Sequence, residues 1–401
     1  MAAVEPRARL VAFAEDVFDA FDRRSQRVNG ELYLRGLIEQ GARKSLQPTL
    51  FRLGESGARY ESMQQFVADS PWSAEDLLRR VAERVAPRIE VTCWVVDDTG
   101  FPKDGRRSPG VKRQYSGTLG KIGNCQIGTS LHAVGERGTL PLGWSLYLPK
   151  DWCDDPERRA RAKIPEGVGF QTKPQLALSL IRNAVQWDVP SGPILGDQAY
   201  GDDGAFRVGL DDERLSYVLA VSETASVYGP DTEFVVPERA GAIGGTPHVG
   251  RADRPACSLG TLARTLPDAA FETLVFAEAP DGTQRAGRFA CVRVYAAHEI
   301  LRRRRLPRAE WLVIEWPEGA HAPTDYWLSN LPAGTPPAEL ARLARLRWTI
   351  ELDYRQLKGE LGLDHYEGRS WAGWHHHTAL VTCAHAFLTE ERLDPKARRP
   401  A

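Results

Sequence analysis

Asp97 and Asp98 close the apolar run "VTCWVV", and Asp197 closes "GPILG". Glu351 lies in "RWTIELDYRQLK" among Arg347, Tyr354, Arg355 and Lys358. Convergent carboxylates are hard oxygen ligands: a few of them hold Mg²⁺ and leave it waters and room for phosphate oxygens. Two such ions about 4 Å apart activate an attacking oxygen and stabilise a leaving one in an in-line phosphoryl displacement. A bare acidic cluster repels a polyanion, so cations should surround it. Lys103, Arg106, Arg107, Lys112, Arg113 and Lys121 follow the first acid, and Arg347, Arg355 and Lys358 flank the third. Each acid taken singly has an ordinary explanation, because acids at strand ends often form turns or cap helices.

The elements that would carry these groups are legible in outline. At about 100° per residue, Arg347, Glu351, Tyr354 and Lys358 fall within roughly 60° of one another on a helix. Ile350, Leu357 and Leu361 lie beside that stripe, where they would pack it against a core. The ordinary reading of the stripe is a set of i,i+4 pairs worth a few tenths of a kcal/mol each. "VTCWVV" has strand length and composition and is followed by a Gly-, Lys- and Arg-rich loop. "CQIGTSLHAVG" and "TLPLGWSLYLP" read as strands joined by "GERG", "KPQLALSLIRNAVQW" as a helix, and "GPILGDQAYG" as another strand. This alternation predicts a mixed α/β sheet with active groups at strand ends.

Five segments follow from the composition. Residues 1–88 read as a helical N-terminal domain, in which Ser73, Glu75 and Asp76 supply helix-start chemistry. That domain is equally a plain bundle or a DNA-binding module. Residues 89–223 form the first part of the α/β core, 224–332 a β-rich insertion, 333–392 its C-terminal helical part, and 393–401 a tail. The basic run "LRRRRLPR" is more often a solvated face than a site. "WHHHTALVTCAH" places His375, His376, His377 and His385 on a helix. Neighbouring histidines there point in different directions and lack the acid of a zincin motif, so a surface or DNA-facing role is expected.

With 401 residues the chain exceeds one ordinary domain, and 42% hydrophobic with 26% charged residues suits a globular protein with a sizeable core. A formal net charge of −1 excludes a uniformly basic binder but permits a basic groove beside an acidic site. No stretch has the length of a membrane span, and the first residues carry acids within their apolar pattern, unlike a signal peptide. The six cysteines are scattered with no C-x-x-C pair, which fits a reducing cytoplasm.

Three blocks carry a resemblance: "WVVDDTGFPKDGRRSPGVKRQYSGTLGKIGNCQIGTSLH", "ILGDQAYGDDGAFRVGL" and "RWTIELDYRQLKGELGLDHYEGR". In that order, with a β-rich segment before the last, the chain resembles bacterial insertion-sequence transposases of the DDE superfamily. The resemblance implies an RNase H-like mixed sheet flanked by helices. It assigns the catalytic, metal-holding acids to Asp97, Asp197 and Glu351, with Asp98 the near alternative to Asp97. The cofactor it implies is Mg²⁺, with Mn²⁺ as a substitute. By the same resemblance Arg347 and Lys358 contact phosphates at the transposon end. The family has a Tyr three residues before that Arg; Ala344 stands there in this chain, so its role is either missing or taken by Tyr354. Lys103, Lys112, Arg113 and Lys121 complete the expected DNA-binding set. Trp327 or Tyr326 would stack on a displaced base, against the commoner role of core packing. The implied function is cut-and-paste transposition of double-stranded DNA by a homodimer, bacterial, cytoplasmic and nucleoid-associated. A domesticated or inactive DNA-binding relative is the alternative, and a carboxylate-pair glycosidase would leave the neighbouring cations unexplained.

Overall fold

The computed structural model describes residues 5–55, 57–235, 251–279, 281–297 and 308–394. Most of the "LRRRRLPR" run and the last residues of the tail lie outside the described residues. The chain divides into two compact units, residues 1–192 with 349–401, and residues 193–348. These units cut across the five compositional segments.

In chain order the first unit begins with helices α1 (Pro6–Val17), α2 (Arg24–Ile38), α3 (Leu46–Arg52), α4 (Gly57–Ala68) and α5 (Ala74–Val85). Helix α5 starts where the sequence places it, with Ser73 Oγ accepting from the Asp76 amide. Strands β1 (Val91–Pro102), β2 (Lys112–Ser116), β3 (Lys121–Gly135) and β4 (Gly138–Leu146) follow, then α6 (Lys150–Cys153), α7 (Pro156–Arg161) and α8 (Lys173–Gln186). All pairs among these strands are antiparallel: β1 lies on one edge of β3, while β2 and β4 share the other edge in succession.

The second unit contains β5 (Ile194–Gly196), α9 (Gln198–Gly201), α10 (Gly204–Asp212), β6 (Tyr217–Ala220), β7 (Ser226–Tyr228), β8 (Phe234–Val235), β9 (Arg251–Ala252), β10 (Cys257–Ser258) and α11 (Leu259–Thr265). It continues with β11 (Glu272–Glu278), β12 (Gln284–Ala296), β13 (Ala309–Glu315), β14 (Asp325–Ser329) and α12 (Pro337–Leu346). Its sheet is mixed: β5 and β6 are parallel, and the run β6–β14–β13–β12–β7–β10 is antiparallel. The β-rich composition between 224 and 332 therefore becomes the greater part of one sheet. Its core gathers Val227, Leu259, Val294, Leu312, Ile314 and Leu328. The chain then returns to the first unit with α13 (Thr349–Gly359) and α14 (Trp371–Leu393). The architecture is mixed α/β, with helices flanking a mixed sheet, consistent with an RNase H-like fold.

Helix α14 explains why the N-terminal helices belong to the same unit as β1–β4. It is buried on nearly every side along most of its length. Phe387 meets Phe13 edge to face, and His376 stacks on Trp72 with centroids 3.8 Å apart. Glu390 pairs with Arg84 and Arg88, and Trp144 of β4 donates to Thr382 from the sheet side. This corrects the expected surface role of its histidines. His376, His377 and His385 are buried, and His375 is half-buried against the Trp371 carbonyl. A helix buried all round shows no polar face in its sequence, so polar residues on it are not a guide to solvent. His377 Nδ1 accepts from the Tyr33 hydroxyl at 2.8 Å while its Nε2 faces two backbone carbonyls, and burial lowers its pKa to about 4.

Candidate active site

Strand β1 presents its two acids to opposite faces, since successive side chains alternate across a strand. Asp97 stands opposite Ser130 of β3, and Asp98 opposite Thr129. Residues directly opposite share a face. Ser130 Oγ is 2.7 Å from the Tyr354 hydroxyl of α13, so the buried Asp97 lies on the face covered by the helix that carries Glu351. Burial and then the Asp97 charge push the Tyr354 phenol well above its ordinary pKa. Asp98 is on the other face, where Lys173 at the start of α8 donates to it at 2.7 Å. The Asp98 amide also donates to Asp97 Oδ1 at 2.7 Å. The two acids thus have different partners.

Helix α13 is half-buried, as its sequence predicts. Ile350 and Leu357 are buried inward, and Glu351 is exposed in its first turn. Three polar connections hold it to the sheet. Tyr354 reaches Ser130, as above. Lys358 Nζ donates to the Gly100 carbonyl at 2.8 Å and to Thr118 Oγ1 at 3.1 Å. Asp353 is the third and was not anticipated: His132 donates to its Oδ2 at 2.9 Å and Thr139 to its Oδ1 at 2.5 Å. His385 Nε2 of α14 stands 3.9 Å from the same carboxylate. Burial raises the Asp353 pKa, but His132 and the other contacts outweigh it and the net shift is downward. The signal was available in the spacing, because Asp353 falls three after Ile350 and four before Leu357, on the inward stripe. His132 likewise occupies an inward position of an apolar strand.

The expected DNA contacts divide by location. Arg113 and Lys121 are exposed, and Lys112 is exposed in an ion pair with Asp151 at 2.9 Å. Lys103 is half-buried and donates to the Tyr366 carbonyl, and burial lowers its pKa. Burial also brings Lys358 down to about 8. Tyr354 and Lys358 direct their polar ends to Ser130, Gly100 and Thr118 of their own unit. Arg347 is not on the Glu351 helix: it is the half-buried C-cap of α12, in the second unit.

Asp197 belongs to the second unit. It follows β5 directly and caps α9, its Oδ1 accepting the Ala199 amide at 2.9 Å. Close packing fixes this corner, since a Cβ at Gly201 would sit 1.8 Å from the Ala220 carbonyl oxygen. Tyr326 and Trp327 lie in the core of this unit, 4% and 6% exposed, with Arg345 over the Trp327 ring. They pack there and are not available for base stacking. Arg345 also pairs with Glu315 and, at 3.5 Å, with Asp325. Within either unit, the described residues contain no group of three or more His, Cys, Asp or Glu placed to hold a metal.

Carboxylates of this kind, without a thiolate or imidazole among the candidate acids, are donors suited to Mg²⁺ or Mn²⁺ rather than to zinc. No helix among the described residues is long and apolar enough to cross a membrane. One curated relative, described as a probable transposase for insertion sequence element IS701 from Microchaete diplosiphon, is 28% identical over 164 residues. That similarity spans 40% of each chain. The profile of the DDE superfamily endonucleases matches residues 16–285, a stretch that contains Asp97 and Asp197 and ends before Glu351. Two-thirds of the sequence fits that profile, and the chain therefore belongs to the DDE superfamily endonucleases.

Proposed function

We propose that the protein is the DNA transposase of an insertion sequence. On this reading it cuts double-stranded DNA at the element's ends and joins the freed 3′-hydroxyl to target DNA. Asp97, Asp197 and Glu351 are the proposed metal-holding acids. Mg²⁺ or Mn²⁺ bound there would supply charge stabilisation for an in-line phosphoryl displacement. The chain's own contribution is to orient. Tyr354, Asp353 and Lys358 fix the Glu351 helix to the face that bears Asp97, while Arg113 and Lys121 offer cations to the DNA backbone. Two protomers on paired ends complete the proposed complex.

The observation that carries this reading is the pairing of Asp97 with Ser130 and of Ser130 with Tyr354, three residues beyond Glu351. Family membership and the name of the relative point the same way. The test is strand cleavage in Mg²⁺ or Mn²⁺ on duplexes carrying the inverted repeats that flank the gene. Asp97→Asn, Asp197→Asn and Glu351→Gln should each reduce cleavage to background, while Asp98→Asn should retain it. Asp197→Asn is informative because Asn caps a helix as well as Asp does, so folding is preserved while the charge is lost. Cleavage retained in any of the first three variants overturns the assignment of that acid.

A further inference from the structure

The hairpin of β2 and β3 extends from the first unit just beyond the end of β1, and it exposes two large apolar side chains. Tyr115 is 65% exposed and Ile122 58%. They are direct cross-strand partners, so they form one patch. Scattered exposed apolar residues are ordinary on a protein surface. These two are adjacent, on a hairpin whose neighbouring residues are basic.

Their position is set by register. Alternation along β3 puts Ile122 on the same face as Asn124, Gln126, Gly128 and Ser130, and Ser130 is opposite Asp97. Tyr115 shares that face by pairing with Ile122, and Arg113 shares it by pairing with Asn124. The patch therefore lies on the sheet face of Asp97 and the Glu351 helix. Lys358 of that helix reaches the hairpin turn through Thr118 Oγ1, and Thr118 also accepts from the Gly100 amide of β1. The hairpin is tied to both elements that carry the first unit's acids.

An apolar pair beside an exposed arginine matches nucleic acid whose bases are partly unstacked. Aromatic side chains stack on bases of any sequence, apolar wedges separate base steps, and cations meet the phosphates. We propose that Tyr115 and Ile122 form a wedge against bases splayed at a DNA end, with Arg113 on the adjacent phosphate. This rests on the transposase reading, and it adds a contact that discriminates frayed from paired DNA.

The experiment compares the full chain's affinity for a forked duplex, with a few unpaired bases at one end, and for a fully paired duplex of the same sequence. The wild type should prefer the fork by about tenfold, the scale of base–aromatic stacking. Tyr115→Ala should lose that preference while keeping its affinity for the paired duplex, and Tyr115→Phe should retain it. Arg113→Ala should weaken both complexes and lower the salt slope by about 1. A fork preference that survives Tyr115→Ala with Ile122→Ala overturns the wedge, as does a wild type that binds both duplexes alike. A wild type that binds neither overturns the DNA reading itself, a result separable from the other two.

Discussion

Two of the acid-bearing regions are held in place by different means. In the first unit Asp97 lies midway along a 12-residue strand, and the helix opposite is attached through Tyr354, Asp353 and Lys358. In the second, Asp197 follows a three-residue strand and caps a four-residue helix. In the first region the attachments join residues more than two hundred positions apart, while the cap bond of Asp197 reaches an amide two residues away. The first region should therefore be sensitive to anything that disturbs its buried polar groups. The second should tolerate local change provided the cap survives.

The largest expected effect is acidification. Burial depresses His377 and His385 to about 4, whereas an unfolded histidine titrates near 6.5. The neutral rings thus contribute stability that is fully present above about pH 6.5 and is lost as pH falls toward 4. Each contributes on the order of 3 kcal/mol at neutral pH. Asp353, whose pKa is also depressed, adds a loss at still lower pH, below the unfolded carboxylate value of about 4. Hydrogen exchange followed from pH 7 to 4.5 should show α14 and β3 losing protection before β12 and β13. Equal loss in both units would break the contrast.

Next in size is Asp353→Ala, which leaves the buried His132 and the half-buried Thr139 without their acceptor and should cost about 3 kcal/mol in urea unfolding. Tyr354→Phe, which removes only the bond to Ser130, should cost about 1 kcal/mol. If Asp353→Ala unfolds like the wild type, the buried network does not anchor α13. The smallest effect belongs to the second unit: Asp197→Ala should lose about 1 kcal/mol of stability and Asp197→Asn close to none. A large loss in Asp197→Asn would show that the carboxylate's charge, and not its cap bond, dominates its contribution.

Much of this organisation is visible in the residue pattern. Strand β4 and helix α8 fall where apolar run length and turn residues put them. Strand β1, by contrast, runs past its two acids to Pro102, and β2 and the start of β3 occupy the stretch expected to be a loop, because pairing with β3 extends the sheet beyond the apolar run. Ser73 and Asp197 occupy cap positions recognisable from residue type alone. Other features are invisible at that level. "RWTIELDYRQLK" reads as one helix, yet Arg347 ends α12 and Thr349 begins α13, as the chain passes from one unit to the other. The histidines of α14 read as polar surface and are buried, because helices and sheet cover that helix on several sides.

By itself the sequence determined what is local: which stretches alternate as strands, which turn as helices, and which residues cap them. These follow from backbone geometry and side-chain period, which neighbouring residues impose on one another. Only the tertiary structure decided which face of β1 looks toward α13, and hence that Asp97 and Asp98 have different partners. It also decided that Asp353 is enclosed while Glu351, two residues earlier, is exposed. The reason is physical: a carboxylate is stable in the interior only where donors from distant segments converge on it, and that convergence exists only after the chain has folded.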